Sequence, residues 1–364
     1  MPPLTLMVKP ASGRCNMRCR YCFYADELAH RSAPTVSCMS DATLEMLLRR
    51  AFLAAEGQLT LIFQGGEPTL AGKEFFRKLL TLEKRYQRQN LRVVHSIQTN
   101  GLLLDAQWCA LLREGNFLVG VSLDGTQMLH DANRPDAAGN GTWARVTENL
   151  KRLRRENVAY NILCVVTDEM TPYARAVFAA LREHAFLQFI PCLEPLDGSG
   201  EARLHAENYG HFLVELFDAY AQAQYAGKPV SIRLLDSYLA MLAGYPPDSC
   251  ALSGHCGQYC VVEADGSVYP CDFYALDEWR LGNIRDSAFP RLQAGETAKC
   301  FRRPLETAQE CKTCAYWGLC RGGCRREREH TPDGKSRWCE GLKLFFAQRG
   351  QQLQALSRRV YGKR

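Results

Sequence analysis

Between Leu4 and Cys192 the chain alternates β-branched or aromatic runs with amphipathic segments, and this alternation limits the fold more than any other feature. Leu4–Lys9, Leu59–Gln64, Leu91–Thr99, Phe117–Leu123, Tyr160–Val166 and Phe186–Cys192 read as strands. Asp41 is placed to cap a helix running to about Glu56, with Leu44, Leu47, Leu48 and Phe52 on one face. Phe75–Tyr86, Asp105–Arg113, Thr142–Glu156 and Pro172–His184 read as further helices. Strands separated by helices imply a parallel sheet with right-handed crossovers. Six repeats are too few for a closed eight-strand barrel. The expectation is therefore α/β, as a partial, open (β/α)6 barrel rather than a doubly wound sheet. In both architectures the active site lies at the C-terminal edge of the strands.

The polar motifs gather at that edge. The first strand leads to Cys15-Asn16-Met17-Arg18-Cys19-Arg20-Tyr21-Cys22, followed by a loop. The second leads to Gly65-Gly66-Glu67-Pro68, the third ends in Gln98-Thr99-Asn100, the fourth carries Ser122 and Asp124, and the sixth leads to Leu193-Glu194. Three thiolates can hold three irons of a cubane cluster of four irons and four sulfides. The remaining iron can then bind a small molecule, whereas a fully ligated cluster normally only carries electrons. Zinc would want a fourth ligand close by, and the nearest candidate, His30, is poorly spaced. Paired glycines after a strand let backbone approach a ligand, although the same pair also fits an ordinary tight turn. They match neither a phosphate loop nor a dinucleotide fingerprint.

Cysteine usage supports a metal reading. No export signal precedes the 17 cysteines of this 364-residue chain, so a disulfide scaffold is not expected. Seven fall before position 250 and ten between Cys250 and Cys339, implying a metal-bearing region at each end of the chain. Hydrophobic residues make up 46% and charged residues 23%, the balance of a soluble globular protein. No apolar run is long enough for a membrane span, and the expected location is the cytoplasm. The net charge of +6 is modest, and Arg321, Arg325, Arg326 and Arg328 alternate with Glu327 and Glu329. That pattern fits a solvated, paired surface better than a nucleic-acid site.

Two helical segments, His205–Ala226 and Ile232–Gly244, precede Pro246-Pro247, a boundary near residue 245. The expected division is residues 1–245 as barrel with helical extension, 246–340 as a cysteine-rich domain, and 341–364 as a C-terminal helix. Cys250, Cys256, Cys271, Cys311, Cys314, Cys320, Cys324 and Cys339 make two sets of four, enough for two closed 4Fe–4S clusters or two zinc ions; spacing alone does not decide. Val261 to Cys271 reads as a hairpin turning at Asp265-Gly266, which delivers Cys271 and Asp272 at a strand end. A carboxylate there is a candidate base, or else a surface group or helix cap.

These features together resemble the radical S-adenosylmethionine enzymes with a SPASM domain. Within that group the chain resembles the anaerobic sulfatase-maturating enzymes, from residue 2 to about 345. The resemblance is carried by Lys9 to Ser12, Cys22-Phe23-Tyr24, Phe63 to Gly72, Gln98 to Gly101, Val119 to Gly125, Asn161 to Val166, Gly266 to Tyr274 and Trp279 to Ile284. It implies oxidation of a sulfatase cysteine or serine to Cα-formylglycine by means of three 4Fe–4S clusters and S-adenosylmethionine. Cys15, Cys19 and Cys22 would hold the cleaving cluster, with Tyr21, Gly66, Ser122, Arg134 and Leu193 contacting S-adenosylmethionine. Cys250, Cys256, Cys271 and Cys324 would hold one auxiliary cluster, and Cys311, Cys314, Cys320 and Cys339 the other. Asp272 would be the proton acceptor, with Tyr24 and Gln64 near the peptide. The implied partners are an unfolded or nascent sulfatase and an electron donor such as flavodoxin or ferredoxin, with neither nucleic acid nor membrane. The alternatives are a SPASM-type maturase that crosslinks or epimerises ribosomal peptides, and a zinc-bound interaction protein.

Overall fold

The computed structural model describes residues 3–33, 37–198 and 202–362. The six expected strands form within about two residues of their expected limits: β1 (Leu4–Val8), β2 (Gln58–Phe63), β3 (Arg92–Thr99), β4 (Phe117–Ser122), β5 (Tyr160–Val166) and β6 (Phe186–Pro191). Four short strands follow: β7 (Ser231–Ile232), β8 (Cys260–Val262), β9 (Ser267–Tyr269) and β10 (Gly282–Asn283). The chain packs as two compact units interleaved in sequence: Met1–Ser122, Asp131–Tyr160 and Gly257–Arg303 form one, and Leu123–His130, Asn161–Cys256 and Pro304–Arg364 the other.

In the first unit the strand order is β10-β9-β8-β1-β2-β3-β4. β1 to β4 run parallel, with Leu4 opposite Leu59, Phe63 opposite Ile97, and Ile97 opposite Val119. β2 alternates half-buried and buried residues, the period of a pleated strand. Its buried Phe63 joins Phe75, Phe76 and Phe117 in an aromatic cluster with centroids 5.2–6.5 Å apart. Helix Asp41–Ala54 buries Leu44, Leu47, Leu48 and Phe52. Its cap is Ser40 rather than Asp41: Ser40 Oγ accepts the Thr43 N–H at 3.2 Å, which makes Asp41 the first helical residue. Asp105 caps Ala106–Glu114 through the Trp108 N–H at 2.8 Å.

The hairpin expected at Val261–Cys271 is β8 and β9, antiparallel, with Gly266 at φ +85° in the turn. Its β8 strand pairs in parallel with β1, Leu6 opposite Cys260 and Val8 opposite Val262. Met7, Val261, Tyr269 and Ala275 close a small apolar cluster over that seam.

In the second unit β5, β6 and β7 pair in parallel, Ile162 opposite Leu187 and Phe186 opposite Ser231. Helix Ala206–Tyr225 packs on helix Cys339–Tyr361, with Phe217 and Phe345 at 6.0 Å between centroids. The two backbones nearly touch at Gly210 and Gly341. A Cβ on Gly210 would stand 2.6 Å from the Gly341 carbonyl oxygen, and one on Gly341 would overlap the Ala206 carbonyl. Among the described residues no helix is long and apolar enough to cross a membrane.

Candidate active site

The cysteine loop leaves β1 and runs directly into helix Phe23–Ala29, where the sequence reading expected a loop. Cys22 N–H donates to the Cys19 carbonyl at 3.3 Å and Met17 N–H to Cys15 Sγ at 3.4 Å. The segment around Pro135 braces the loop: Arg18 N–H donates to Pro135 O at 2.9 Å, Arg20 N–H to Asn133 O at 3.0 Å, and Ala137 N–H to Asn16 O at 3.1 Å. That brace brings Arg134 to Tyr21, guanidinium over ring at 5.3 Å, so two of the expected S-adenosylmethionine contacts meet beside the cysteines. Burial pushes the Cys15 thiol up to about 11, and Glu67, Cys19 and Cys22 nearby add to the rise. A bound metal displaces such a proton, since thiolate is the ligand form.

The two glycines after β2 serve the loop itself. A Cβ on Gly66 would overlap the carbonyl oxygens of Ser12 and Arg14, and one on Gly65 would lie 2.6 Å from Lys9 Cγ. Both have positive φ, +109° and +54° in chain order. The adjoining Glu67 is buried and takes the Thr69 hydroxyl at 2.6 Å, the Thr99 hydroxyl at 2.7 Å and the Asn100 N–H at 2.7 Å. Its own N–H donates to Arg14 O at 2.8 Å. The Asn100 amide in turn donates to Asn16 Oδ1 at 2.7 Å and lies 3.9 Å from Cys15 Sγ. Through its carboxylate and its backbone N–H together, Glu67 ties the segment after β2 to the end of β3 and to the residue before Cys15. Ser122, half-buried at the end of β4, accepts from the Gln98 amide at 3.3 Å.

Asp272 follows β9 and is 3% exposed. Gln64 Nε2 donates to Oδ2 at 2.8 Å, and Lys9 Nζ stands 2.6 Å from Oδ1. The surface-group reading of Asp272 is therefore corrected: hairpin and β1 bury it together. Tyr24, expected near the peptide, is 4% exposed; its hydroxyl donates to Glu263 Oε1 at 2.6 Å, and its ring lies under Lys9 Nζ at 3.5 Å. Glu263 also accepts from Arg31 at 3.0 Å and from the Ser12 hydroxyl. Burial pushes Glu27 up to about 8, although Lys9 opposes the rise.

Cys271 lies in the first unit, and Cys250, Cys256 and Cys324 in the second. Cys311, Cys314, Cys320 and Cys339 all lie in the second unit. Burial pushes the Cys320 thiol up to about 11, with Cys339, Glu327 and Cys311 adding to it. Glu327 is half-buried and fixes this region, accepting from the Cys324 N–H at 3.0 Å and the Ser336 hydroxyl at 3.2 Å. Leu193 is half-buried just after β6, and the following Glu194 pairs with Arg337 and takes the Arg326 guanidinium at 2.7 Å on its carbonyl.

Sequence reading missed the roles of Lys9, Glu263, Arg31, Asn100 and Glu327. Two of them left a local signal: Lys9, a cation at the end of β1, and Asn100, in the polar motif that ends β3. Among the described residues no three His, Cys, Asp or Glu side chains converge on a site for a single metal ion. Cys19 and Cys22 lie close enough to raise the Cys15 thiol, and Cys311 and Cys339 close enough to raise the Cys320 thiol. Such donor sets fit iron–sulfur clusters.

The Radical SAM superfamily matches residues 10–172, and the iron-sulfur cluster-binding domain SPASM matches residues 254–315. A cysteine-type anaerobic sulfatase-maturating enzyme of Clostridium perfringens is 41% identical, over 95% of this chain and 96% of that protein. A serine-type enzyme of Klebsiella pneumoniae is 32% identical, over 99% of this chain and 91% of that protein. The structure of native anSMEcpe with bound AdoMet and Cp18Cys peptide superposes with a TM-score of 0.92 at 40% identity, covering 99% of this chain and 100% of that one. With its domain content, its fold and its nearly full-length similarity in agreement, this chain belongs to the anaerobic sulfatase-maturating enzymes.

Proposed function

We propose that this enzyme oxidises a sulfatase cysteine to Cα-formylglycine and that Asp272 is the group that takes the substrate's proton. The family's activity is formylglycine formation from cysteine or serine by radical S-adenosylmethionine chemistry, and the chain is an oxidoreductase of that kind. Higher identity to the cysteine-type enzyme supports cysteine as the preferred residue. A peptide bound in the similar anSMEcpe structure supports a peptide substrate. We also propose flavodoxin or ferredoxin as electron donor, a cytoplasmic location, no nucleic-acid partner, and the functional division 1–245, 246–340 and 341–364.

Cys15, Cys19 and Cys22 would hold the cleaving cluster, with Tyr21, Gly66, Ser122, Arg134 and Leu193 around S-adenosylmethionine. Cys250, Cys256, Cys271 and Cys324, and separately Cys311, Cys314, Cys320 and Cys339, would hold the auxiliary clusters. Bound there, these groups supply a 5′-deoxyadenosyl radical for the substrate Cβ and an acceptor for one electron. The residues of the chain do the rest. Arg134 stacks on the Tyr21 ring and helps order the cysteine loop, and both would contact the sulfonium compound when it is bound. Asp272, kept from bulk water, accepts the thiol proton while Gln64 holds its carboxylate. The substrate thus loses one hydrogen atom, one proton and one electron. Water then converts the thioaldehyde to the aldehyde with release of hydrogen sulfide.

The observation that carries this reading is a buried carboxylate next in sequence to Cys271 and hydrogen-bonded to the residue that precedes Gly65-Gly66. The test is anaerobic reconstitution with iron and sulfide, followed by mass spectrometry of peptides carrying Cys or Ser in a sulfatase motif. Aldehyde from the cysteine peptide supports the proposal. A crosslink, or solvent deuterium at Cα, would replace it with another peptide modification.

A further inference from the structure

One buried cation beside Asp272 has no task in the reaction as described. Lys9 is fully buried at the end of β1. An ammonium in such a place costs several kcal/mol unless it is paired. The packing seats it closely: its stem lies against Gly65, and the Tyr24 ring carries the charge at 3.5 Å. Three carboxylates surround it. Glu263 is matched by Arg31 at 3.0 Å, and Glu27 favours its neutral form through burial. Asp272 remains as the charge partner, with Nζ 2.6 Å from Oδ1. At that distance the two atoms form a close ion pair.

The two oxygens of Asp272 are therefore not equivalent. Oδ1 faces the fully buried Lys9, and Oδ2 faces the half-buried Gln64. We propose that Lys9 is a positioning residue: its ammonium holds Oδ1 on the closed side of the site, so that the substrate's proton is taken up at Oδ2. The inference rests on the reading of Asp272 as proton acceptor and adds the atom and the residue that orients it. Lys9 itself neither gains nor loses a proton in this role.

The experiment uses the reconstituted holoenzyme and a peptide whose cysteine is deuterated at Cβ. Three quantities are read: iron per chain, deuterium in 5′-deoxyadenosine, and formylglycine formed per 5′-deoxyadenosine. Lys9→Met is expected to keep iron, peptide KM and deuterium transfer, while formylglycine per 5′-deoxyadenosine falls roughly ten-fold or more. Asp272→Asn gives the same pattern, and the double variant falls no further, because both changes disable one device. If Lys9→Met does not load iron, Lys9→Gln is read instead, since its amide keeps a polar group in the pocket without the charge. A wild-type ratio in either loaded Lys9 variant, beside a lowered ratio in Asp272→Asn, overturns the role of Lys9 alone. A wild-type ratio in Asp272→Asn overturns the proton-acceptor reading beneath it. Failure of both Lys9 variants to load iron assigns Lys9 to folding and ends the proposal.

Discussion

The Gln64 side-chain amide donates to Asp272 Oδ2 at 2.8 Å, joining the end of β2 to the end of β9 across 208 positions of sequence. A carboxylate held by a neutral amide on one oxygen and an ammonium on the other keeps its direction while its surroundings change. Asp272→Asn keeps the shape and removes the basicity. It is expected to retain its clusters and to cleave S-adenosylmethionine, while formylglycine formation falls about 10²–10⁴-fold. Product and 5′-deoxyadenosine counted in the same reaction check this, and normal product formation would remove Asp272 from the mechanism.

Gly66→Ala tests the brace on the cysteine loop. The new methyl group overlaps two carbonyl oxygens, Ser12 and Arg14, so the loop must shift. Overpacking of this kind costs about 1–3 kcal/mol. The variant is expected to load less iron at Cys15, Cys19 and Cys22 and to keep the auxiliary iron. Iron analysis and the electron paramagnetic resonance signal that responds to S-adenosylmethionine separate the two.

Glu27 gives the charge network a pH signature. Its carboxyl is raised from 4.5 to about 8, first by burial, with Lys9 opposing and Asp272 and Glu263 adding. Between those two values the folded protein holds a proton that the unfolded chain has released. Stability from this group is therefore present at low pH and is lost as pH rises through 8, by at most about 1.4 kcal/mol per pH unit. Denaturant unfolding of wild type and Glu27→Gln from pH 5 to 8 should show the flatter profile in the variant. Parallel profiles would mean that Glu27 does not carry the proton.

Gly341 and Gly350 lie on one helix and should respond oppositely. A Cβ at Gly341 overlaps the Ala206 carbonyl, whereas one at Gly350 meets nothing within 4 Å. Gly341→Ala is expected to destabilise by about 1–3 kcal/mol. Gly350→Ala is expected to be neutral or to stabilise by up to about 1 kcal/mol, through helix propensity. Thermal melting of the two holoproteins decides, and equal shifts would refute the close crossing at Gly210.

Periodicity and turn chemistry made the strands, most helices and the Asp265-Gly266 hairpin legible, because each rests on neighbours within a few residues. The same holds for the cysteines, whose spacing limits what they can bind. The surroundings of Asp272 were not legible. Ser12 and Tyr24 reach Glu263 across 251 and 239 positions, and no local pattern encodes such partners. Gly65-Gly66-Glu67-Pro68 reads as a place where backbone approaches a ligand, with no role for the Glu67 side chain, whose burial and bonds to Thr99 and Asn100 depend on β2 and β3 lying side by side. Cys22-Phe23-Tyr24 was read as entering a loop because its helix is short and lacks a side-chain cap.

The parallel seam between β1 and β8 also bears on synthesis. Leu6 to Val8 are made first, and their partners Cys260 to Val262 about 250 residues later. Until then the outer rim of the nascent sheet has unsatisfied amides and carbonyls, a template for wrong partners. At ribosomal rates of about 5–20 residues per second, that interval lasts on the order of ten seconds or more. The Lys9–Asp272 pair also waits for the late hairpin, so the Lys9 ammonium lacks its charge partner through the same window.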